Sequence, residues 1–338
     1  MARTLSFRNA INEAMRQEMQ RDPTVILMGE DVAGGAALEH MEGENKEAWG
    51  GVLGVSHGLR PEFGSSRVLD TPISESAFIG AAVGAASTGL RPIAELMFID
   101  FLGVCFDQIH NQGAKLRYMF GGKAKVPMVV RSMIGAGFRA AAQHSESFYS
   151  IFAHIPGLKV VVPSTPYDAK GLLIASIRDD DPVFFFEHKL LYDIEGEVPE
   201  ESYAIPLGKA DVKREGKDAT IVTLGRMVHL SLEAAEKLSS DGADVEVLDL
   251  RSISPMDSEA ILASVRKTHR LVVVDEDTPR CSLATDVVAL VSGEAFDYLD
   301  APPKMITAPH SPVPFSPVLE DAYLPSVDRI VSTVQSLM

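Results

Sequence analysis

Apolar residues near the N-terminus recur at helical spacing. Phe7, Ile11 and Met15 lie on one face of a helix that Ser6 can cap. The apolar run 25–28 then predicts a short buried strand. The same succession of short apolar runs and longer amphipathic segments continues along most of the chain, which indicates strands that alternate with helices.

The later elements follow the same rule. Strands are predicted at 67–70, 93–96, 127–131, 159–162, 183–186, 220–224, 245–250 and 271–274. Helices are predicted at 75–88, 101–120, 167–178, 228–239 and 257–267. Such alternation predicts an α/β fold with parallel strands and helical crossovers.

Three segments interrupt the alternation. The segment 195–208 is acidic, contains two prolines and has no apolar period, so we place a linker there between a domain at 1–194 and a smaller α/β domain at 209–338. The Gly- and Glu-rich segment 32–54 predicts a long irregular loop. The Pro-rich segment 302–317 predicts an ordered surface loop, because proline removes a backbone donor and fixes φ.

Charge and cysteine content limit the partners and the compartment. The chain has 31 Lys and Arg against 47 Asp and Glu, a net charge of -16, which disfavours nucleic acid and anionic membranes as partners. Cys105 and Cys281 lie far apart and predict neither a disulfide nor a thiolate metal site, which fits the cytoplasm. Without a signal-type segment or a membrane-length apolar run, we expect neither export nor a membrane anchor.

The candidate chemistry centres on one carboxylate. No dinucleotide fingerprint, Walker-type loop, His-Glu-x-x-His motif or paired-cysteine set occurs in the sequence. Glu75 ends the run 70–75 at a predicted strand-to-helix junction, and ligands of parallel α/β sheets bind beyond the carboxyl ends of strands. The alternative is that Glu75 only complements the helix dipole.

Other polar and small residues have two interpretations each. His144 follows a Gly-rich stretch and is either a site residue or an ordinary structural histidine. The acidic triplet 179–181 could coordinate a cation through its oxygens or form a solvated turn.

Gly80 and Gly84 lie in the predicted helix 75–88, where glycine is unfavourable, so we expect a close approach to that helix backbone.

Several segments together resemble the beta subunit of thiamine-diphosphate-dependent 2-oxo acid dehydrogenases. Besides the run 70–75 and the small-residue helix after it, they are GEDV 29–32, LRPI 90–93, AAQHS 141–145, PGLKVV 156–161 and DAKGL 168–172. Within the family, a second set resembles the acetoin dehydrogenase branch: WGGVLGV 49–55, FIDF 98–101, GVCFDQ 103–108, EHKLLY 187–192, PRCS 279–282 and PHSPVPF 309–315. The matches span nearly the whole chain in the family's order.

The resemblance implies a transketolase-like fold, with a parallel-sheet pyrimidine-binding domain followed by a smaller α/β transketolase C-terminal domain. The first domain would bind the aminopyrimidine end of thiamine diphosphate. A separate alpha subunit would hold the diphosphate and Mg²⁺ through a Gly-Asp-Gly motif, which this sequence lacks. The resemblance therefore implies half a cofactor site, completed in an α2β2 heterotetramer.

The resemblance also implies roles for single residues. Glu75 matches the glutamate that promotes proton transfer at the aminopyrimidine, and Ile73, Met97 and Phe101 match residues that line its pocket. His144 matches a catalytic histidine near the reacting carbon. A potassium-binding set of some family members corresponds to Met128, Ser176, Ile177, Asp179 and Asp181, the last in place of an asparagine.

The implied activity is the cleavage of acetoin, with transfer of the two-carbon unit to a lipoyl group of a partner acyltransferase. A pyruvate or branched-chain 2-oxo acid dehydrogenase beta subunit would differ in substrate rather than in mechanism and is the first alternative. A noncatalytic scaffold subunit with the same fold is the second. The presence of Glu75 and His144 argues against the scaffold.

Overall fold

The computed structural model describes residues 2–34 and 50–338. The strands are β1 (Ala2–Ser6), β2 (Val25–Gly29), β3 (Val68–Asp70), β4 (Arg91–Phe98), β5 (Val129–Ile134), β6 (Lys159–Val161), β7 (Val183–His188), β8 (Glu195–Pro199), β9 (Asp211–Arg214), β10 (Ala219–Thr223), β11 (Val245–Asp249), β12 (Ser252–Ser254), β13 (Leu271–Val274) and β14 (Lys304–Ile306). The helices are α1 (Phe7–Arg21), α2 (Leu59–Phe63), α3 (Glu75–Ser87), α4 (Leu102–Asp107), α5 (Leu116–Met119), α6 (Tyr149–Ala153), α7 (Pro166–Arg178), α8 (Arg226–Ser240), α9 (Ser258–Thr268), α10 (Leu283–Glu294), α11 (Pro317–Tyr323) and α12 (Val327–Gln335). Turns of 3-10 helix lie at Ile99–Phe101, Lys189–Leu191 and Phe296–Tyr298, and a π-helical turn spans Gln108–Gly113.

The larger sheet has seven strands in the order β12-β6-β7-β5-β4-β2-β3. Its neighbouring strands are parallel except for the antiparallel pair β12 and β6. The carboxyl ends of the parallel strands therefore meet at one edge. There the register places Gly29 of β2 between Asp70 of β3 and Glu95 of β4, which makes this edge acidic.

The second sheet has five strands in the order β14-β13-β10-β11-β9, and only β9 is antiparallel to its neighbour. Strand β12 comes from the same part of the sequence but joins the first sheet beside β6. A separate ribbon pairs β1 with β8 in antiparallel register. Backbone hydrogen bonds thus tie the C-terminal half of the chain to the first sheet.

Helices cover both faces of the first sheet, as β7 illustrates. Phe184 and Phe186 pack on the side of α3 and α6, whereas Phe185 packs on the side of α1 and α7. All six residues of β7 are buried, which is typical of a parallel strand covered on both faces. The core on the α3 side continues through Val222 and Leu248 of the second sheet, so the two sheets share one hydrophobic core.

Most of the predicted elements, and with them the α/β fold, are confirmed. Helix α1 begins at Phe7, and the Ser6 hydroxyl accepts a hydrogen bond from the main-chain N–H of Asn9 at 3.2 Å. The runs 25–28 and 271–274 form β2 and β13. A Cβ at Gly80 would lie 3.2 Å from the Cγ of Gln108, so the expected close approach occurs there, whereas at Gly84 it would meet nothing within this chain.

Several predicted boundaries are wrong. The helix predicted over 101–120 is interrupted at Cys105, which has φ -116° and ψ 16°, and then passes into the π-helical turn. Segment 195–208 begins with β8 rather than with irregular backbone, and its use as a domain boundary stays a prediction. The Pro-rich segment contains β14, which pairs with β13. Of the predicted loop 32–54, residues 35–49 lie outside the described residues, and 50–54 form turns and bends.

Across residues 2–34 and 50–338, none of the helices combines the length and the apolar character needed to cross a lipid bilayer.

Candidate active site

Glu75 is the first residue of α3, at the end of the turn that follows β3. Its side chain is buried although it lies at a helix terminus. Ser74 precedes the helix as its N-cap residue, but its side chain does not cap it: the Ser74 hydroxyl donates to the carbonyl oxygen of Pro72 at 3.1 Å. Glu75 therefore begins the helix with its carboxyl group held at the acidic edge of the sheet.

Glu30 is a second buried carboxyl group beside Glu75. It directly follows β2, and Glu75 follows the paired strand β3 after the turn 71–74, so both acids lie beyond the carboxyl ends of neighbouring strands. The Oε1 atom of Glu30 is buried without a hydrogen-bond partner among the described residues. Burial, and next the negative charge of Glu75, raise the pKa of Glu30 to about 7. Glu30 can therefore hold or release a proton at neutral pH.

The sequence analysis did not identify Glu30 as a site residue. It appeared only as part of the segment 29–32. A usable signal was present, because an acid directly after the buried run 25–28 must lie at the same strand edge as Glu75.

Aromatic side chains border the same edge. The Ser76 hydroxyl donates to the Val104 carbonyl oxygen at 2.5 Å. This hydrogen bond joins the start of α3 to α4, which directly follows Phe101. The imidazole of His144 packs edge-on against the rings of Phe101 and Phe98, with centroid distances of 5.6 and 4.9 Å. The structure thus brings Phe101 and His144 into contact, next to the helix that begins with Glu75.

Ile73 and Met97 have different surroundings. Ile73 is 85% exposed, two residues before the buried Glu75, so in this chain alone it is an uncovered apolar side chain at the site. Met97 packs against the core on the α1 and α7 side, whereas Phe101 packs against the core on the α3 side. Their roles as pocket residues stay predictions.

His144 lies on a loop with unusual backbone geometry. Arg139 and Ala141 have φ values of 64° and 62°, a region that side chains other than glycine rarely adopt. The main-chain N–H of Gly135 donates to the Glu146 carbonyl oxygen at 3.0 Å and closes the loop. The Gly137 N–H donates to Oε1 of Glu320 on α11 at 2.6 Å, so the second domain also holds the loop.

A buried ion-pair network stiffens the strands next to the site. The guanidinium of Arg131 on β5 donates to both carboxylate oxygens of Glu187 at 2.6 and 2.7 Å, and to Oε2 of Glu95 at 2.8 Å. Tyr192 donates to Glu187 at 2.8 Å. Burial opposes the charge on Arg131, but the two carboxylates outweigh it and raise the pKa of the guanidinium. Arg131 therefore compensates the two carboxylates in part, while burial still raises the pKa of Glu95.

The residues expected to bind potassium do not form an open cation site. The carbonyl oxygens of Ile177 and Asp179 accept hydrogen bonds from Arg91. Lys159 donates to both carboxylate oxygens of Asp179 at 2.7 Å, and Arg117 pairs with Asp181. The remaining members of the set are Met128, whose carbonyl oxygen accepts the Val183 N–H, and Ser176, whose carbonyl oxygen accepts the Asp179 N–H. Cationic side chains already contact the oxygens of Ile177, Asp179 and Asp181, so the set does not fit an additional cation, and no role is derived for one.

The two ends of the expected cofactor differ in their fit. A buried carboxyl pair beside an apolar and aromatic edge suits an aminopyrimidine ring, whose faces are apolar and whose nitrogens need hydrogen-bond partners. No group of three or more His, Cys, Asp or Glu side chains that could hold a metal ion occurs in the part of the chain that the structure describes. The described residues therefore fit the pyrimidine end of the cofactor.

Comparison with known proteins agrees with this geometry. The family model described as "Transketolase, pyrimidine binding domain" matches residues 3–195, and the one described as "Transketolase, C-terminal domain" matches residues 208–330. A solved structure described as a split-gene transketolase, inactive beta4 tetramer, has a TM-score of 0.76 at 22% identity and covers 98% of each chain, which supports the fold.

Curated relatives extend over the full length. The beta subunit of acetoin:2,6-dichlorophenolindophenol oxidoreductase from Bacillus subtilis is 64% identical over 100% of this chain and 98% of the relative, and that from Cupriavidus necator is 61% identical with the same coverage. The 2-oxoisovalerate dehydrogenase subunit beta of Bacillus subtilis is 45% identical over 98% of each chain. The chain therefore belongs to the family of dehydrogenase beta subunits that consist of a transketolase pyrimidine-binding domain followed by a transketolase C-terminal domain, as the sequence resemblance predicts.

Proposed function

We propose that this chain is the beta subunit of a thiamine-diphosphate-dependent acetoin dehydrogenase. In this proposal the enzyme cleaves acetoin and passes the two-carbon unit to a lipoyl group on a partner acyltransferase. The observation that carries the catalytic part is the buried pair Glu75 and Glu30 at the strand edge, where Oε1 of Glu30 has no hydrogen-bond partner among the described residues. Identities of 64% and 61% to acetoin-oxidising relatives, against 45% to the 2-oxoisovalerate relative, favour acetoin as the substrate.

Thiamine diphosphate, when bound, supplies the electron sink for carbon–carbon cleavage. Glu75 would hold the aminopyrimidine through its carboxyl group and would pass a proton to or from that ring. Glu30, with its pKa raised to about 7, is the adjacent group that can take up or return this proton at neutral pH. Phe101 would line the pocket of the ring.

His144 would act later, on the substrate side of the site. Its imidazole lies against Phe98 and Phe101, so the ring is oriented by two aromatic neighbours. In this position it can give a proton to the lipoyl sulfur or take one from it during transfer of the two-carbon unit.

A second subunit is required, because this chain lacks the Gly-Asp-Gly motif. We assign the diphosphate and Mg²⁺ to an alpha subunit that completes the site in an α2β2 heterotetramer. Exposed apolar side chains beside the carboxyl pair support a protein partner there: Ile73 is 85% exposed, and Val104 on α4 is 58% exposed. With two free cysteines and no membrane-spanning helix in its described residues, the assembly fits the cytoplasm.

The partner requirement is tested by titration calorimetry with thiamine diphosphate and Mg²⁺. We expect the purified chain alone to bind the cofactor weakly and to show no turnover, and the alpha subunit to restore both. Full activity of the chain without an alpha subunit would overturn the split site.

The substrate is tested on the purified α2β2 enzyme with 2,6-dichlorophenolindophenol as electron acceptor. We expect kcat/KM to be highest for acetoin and at least tenfold lower for pyruvate and 2-oxoisovalerate. A higher kcat/KM for either 2-oxo acid than for acetoin would show that this 2-oxo acid, and not acetoin, is the substrate. A wild-type α2β2 enzyme that binds the cofactor but turns over none of the three substrates would favour the noncatalytic scaffold instead.

A further inference from the structure

Lys189 is a buried lysine directly behind the loop that carries His144. It follows the last residue of β7 and begins a 3-10 turn, and it is only 3% exposed. Its Nζ atom donates to the carbonyl oxygen of His144 at 2.7 Å and lies 5.4 Å from the centre of the Phe98 ring. A buried ammonium group is costly, so its retention at this place calls for a compensating role.

Asp100 holds the next two residues of the same loop. Its Oδ1 atom accepts the main-chain N–H groups of Ser145 and Glu146 at 3.3 and 3.4 Å. Its Oδ2 atom is buried without a hydrogen-bond partner among the described residues. The His144 carbonyl oxygen is therefore bound by the buried Lys189, and the two following amides by the partly buried Asp100.

The loop needs such support because its own backbone is unfavourable. Arg139 and Ala141 adopt positive φ values, which are unfavourable for residues with a side chain and persist only where the surroundings impose them. Within the loop, His144 itself makes only a long main-chain bond, from its N–H to the Ala141 carbonyl oxygen at 3.4 Å. External contacts must therefore fix the imidazole.

The charged groups around Lys189 come from several elements. The anions that favour its charged form are Asp100 on the 3-10 turn, Glu276 after β13 and Glu320 on α11. His188 precedes Lys189 in sequence; its Nδ1 atom accepts the Leu190 N–H at 3.2 Å, and its Nε2–H donates to Oε2 of Glu276 at 2.9 Å. Burial outweighs the anions and lowers the pKa of Lys189 to about 8.

We propose that Lys189 is a positioning residue for transfer of the two-carbon unit: with Asp100 it fixes the main chain around His144, so that the imidazole stays between Phe98 and Phe101. The inference rests on the proposed function, which gives His144 its role. It predicts that loss of the ammonium group affects lipoamide-dependent turnover more than dye-linked turnover, which does not need the lipoyl group.

The protonation of Lys189 sets the sign of the pH effect. Below pH 8 the ammonium group makes a charge-assisted hydrogen bond to the His144 carbonyl oxygen. Above pH 8 the neutral amine makes a weaker one. Lipoamide-dependent turnover relative to dye-linked turnover should therefore fall on the alkaline side of about pH 8 in the wild type.

The experiment uses the α2β2 enzyme with Lys189→Met, Lys189→Arg and the surface control Lys209→Met. Amide hydrogen exchange of residues 136–148 is measured without substrate, and both kinds of turnover are measured from pH 6.5 to 9.5. For Lys189→Met we expect faster exchange in this peptide and a ratio of lipoamide-dependent to dye-linked turnover that is roughly tenfold lower, the effect of losing one charged hydrogen bond. Lys189→Arg should restore most of the ratio and abolish its alkaline fall, because arginine stays protonated.

Unchanged exchange in Lys189→Met, or an alkaline fall that persists in Lys189→Arg, would overturn the inference. So would an equal effect of Lys209→Met. If Lys189→Met does not assemble, Asp100→Asn replaces it, with the same exchange increase expected and the same overturning result. Absence of acetoin turnover in the wild type would instead overturn the proposed function, and the exchange data would still decide the positioning role.

Discussion

Two clusters of buried carboxylates lie where strands end or the next helices begin, and their partners differ. At the first sheet, Glu30 and Glu75 are adjacent, and one oxygen of Glu30 has no hydrogen-bond partner among the described residues. Between the two sheets, Asp168 and Asp249 are fully buried, but Lys213 lies 2.6 and 3.7 Å from their carboxylates, and Arg251 lies 2.7 Å from Asp168.

The difference separates two uses of buried charge. Cations offset part of the cost of burying a carboxylate: burial raises the pKa of Asp249 to about 6, the charge of Lys213 opposes this rise, and removal of the cation mainly affects folding. A carboxyl group without a cation has a raised pKa and can exchange a proton near neutral pH, which suits catalysis. The Arg131, Glu95 and Glu187 network belongs with the compensated cluster, although it lies on the same sheet as Glu30.

Removal of the cation from the compensated cluster should have the largest effect on stability. We expect Lys213→Met to lower the free energy of unfolding by about 3 to 5 kcal/mol, because Asp168 and Asp249 lose a buried partner. Thermal or urea unfolding of the α2β2 enzyme measures this. The specific activity per assembled enzyme should stay within about twofold of the wild type, and a selective loss of kcat with normal stability would erase the distinction between the clusters.

The corresponding change in the uncompensated cluster should affect catalysis instead. Glu75→Gln keeps the size of the side chain but cannot transfer a proton, so we expect turnover to fall by about a hundredfold or more. If Glu75 were only a helix-dipole partner, its loss would lower the free energy of unfolding by only about 0.3 to 1 kcal/mol. Steady-state kinetics and thermal unfolding of the same preparation separate the two roles.

His144→Ala should have an intermediate and selective effect. We expect lipoamide-dependent turnover to fall roughly a hundredfold, within the range for a proton-transferring side chain, and dye-linked turnover to fall much less. Rapid-quench measurement of two-carbon transfer to lipoamide, next to dye reduction in the same buffer, is the direct comparison. Equal losses in both assays would remove the assigned role.

Glu30→Gln should lower turnover the least, roughly tenfold, because Glu30 acts through Glu75 rather than on the reacting ring. Its pH dependence is diagnostic. The pKa of Glu30 is raised from 4.5 to about 7, so its ionisation in the folded state disfavours folding as the pH rises through this interval. The melting temperature of cofactor-free Glu30→Gln should therefore exceed that of the wild type more at pH 8 than at pH 5, and a constant difference would contradict the raised pKa.

The sequence predicts regular structure well where the pattern of apolar residues alone determines whether a segment is a helix or a strand. Helix α1 and strand β7 follow directly from apolar spacing and from a continuous apolar run. The helix predicted over 101–120 is interrupted because Cys105 leaves helical geometry and a π turn follows, and residue spacing does not encode either feature. Strand β8 depends on β1, a pairing partner that lies far away in sequence. Strand β14 is a short segment next to prolines that pairs with β13.

Only part of the site could be predicted from the sequence, because the rest depends on contacts between residues that lie far apart in the chain. Glu75 and His144 stand in local motifs, so the resemblance identifies them. Glu30, Asp100 and Lys189 acquire significance only through contacts with residues more than 40 positions away, which the fold creates. A potassium set that matches by sequence does not fit a cation, because Arg91 and Lys159 occupy its oxygens.

The central claim is that Glu75 controls a proton on the aminopyrimidine, and the most direct measurement is hydrogen–deuterium exchange at C2 of bound thiamine diphosphate. The α2β2 enzyme and its Glu75→Gln variant are compared by quenched-flow NMR, with Lys213→Met as the control for destabilisation. The account predicts exchange at least a hundredfold slower in Glu75→Gln and near the wild-type rate in Lys213→Met. Exchange at the wild-type rate in Glu75→Gln, together with a lowered melting temperature, would show that Glu75 only stabilises the helix and would contradict the account.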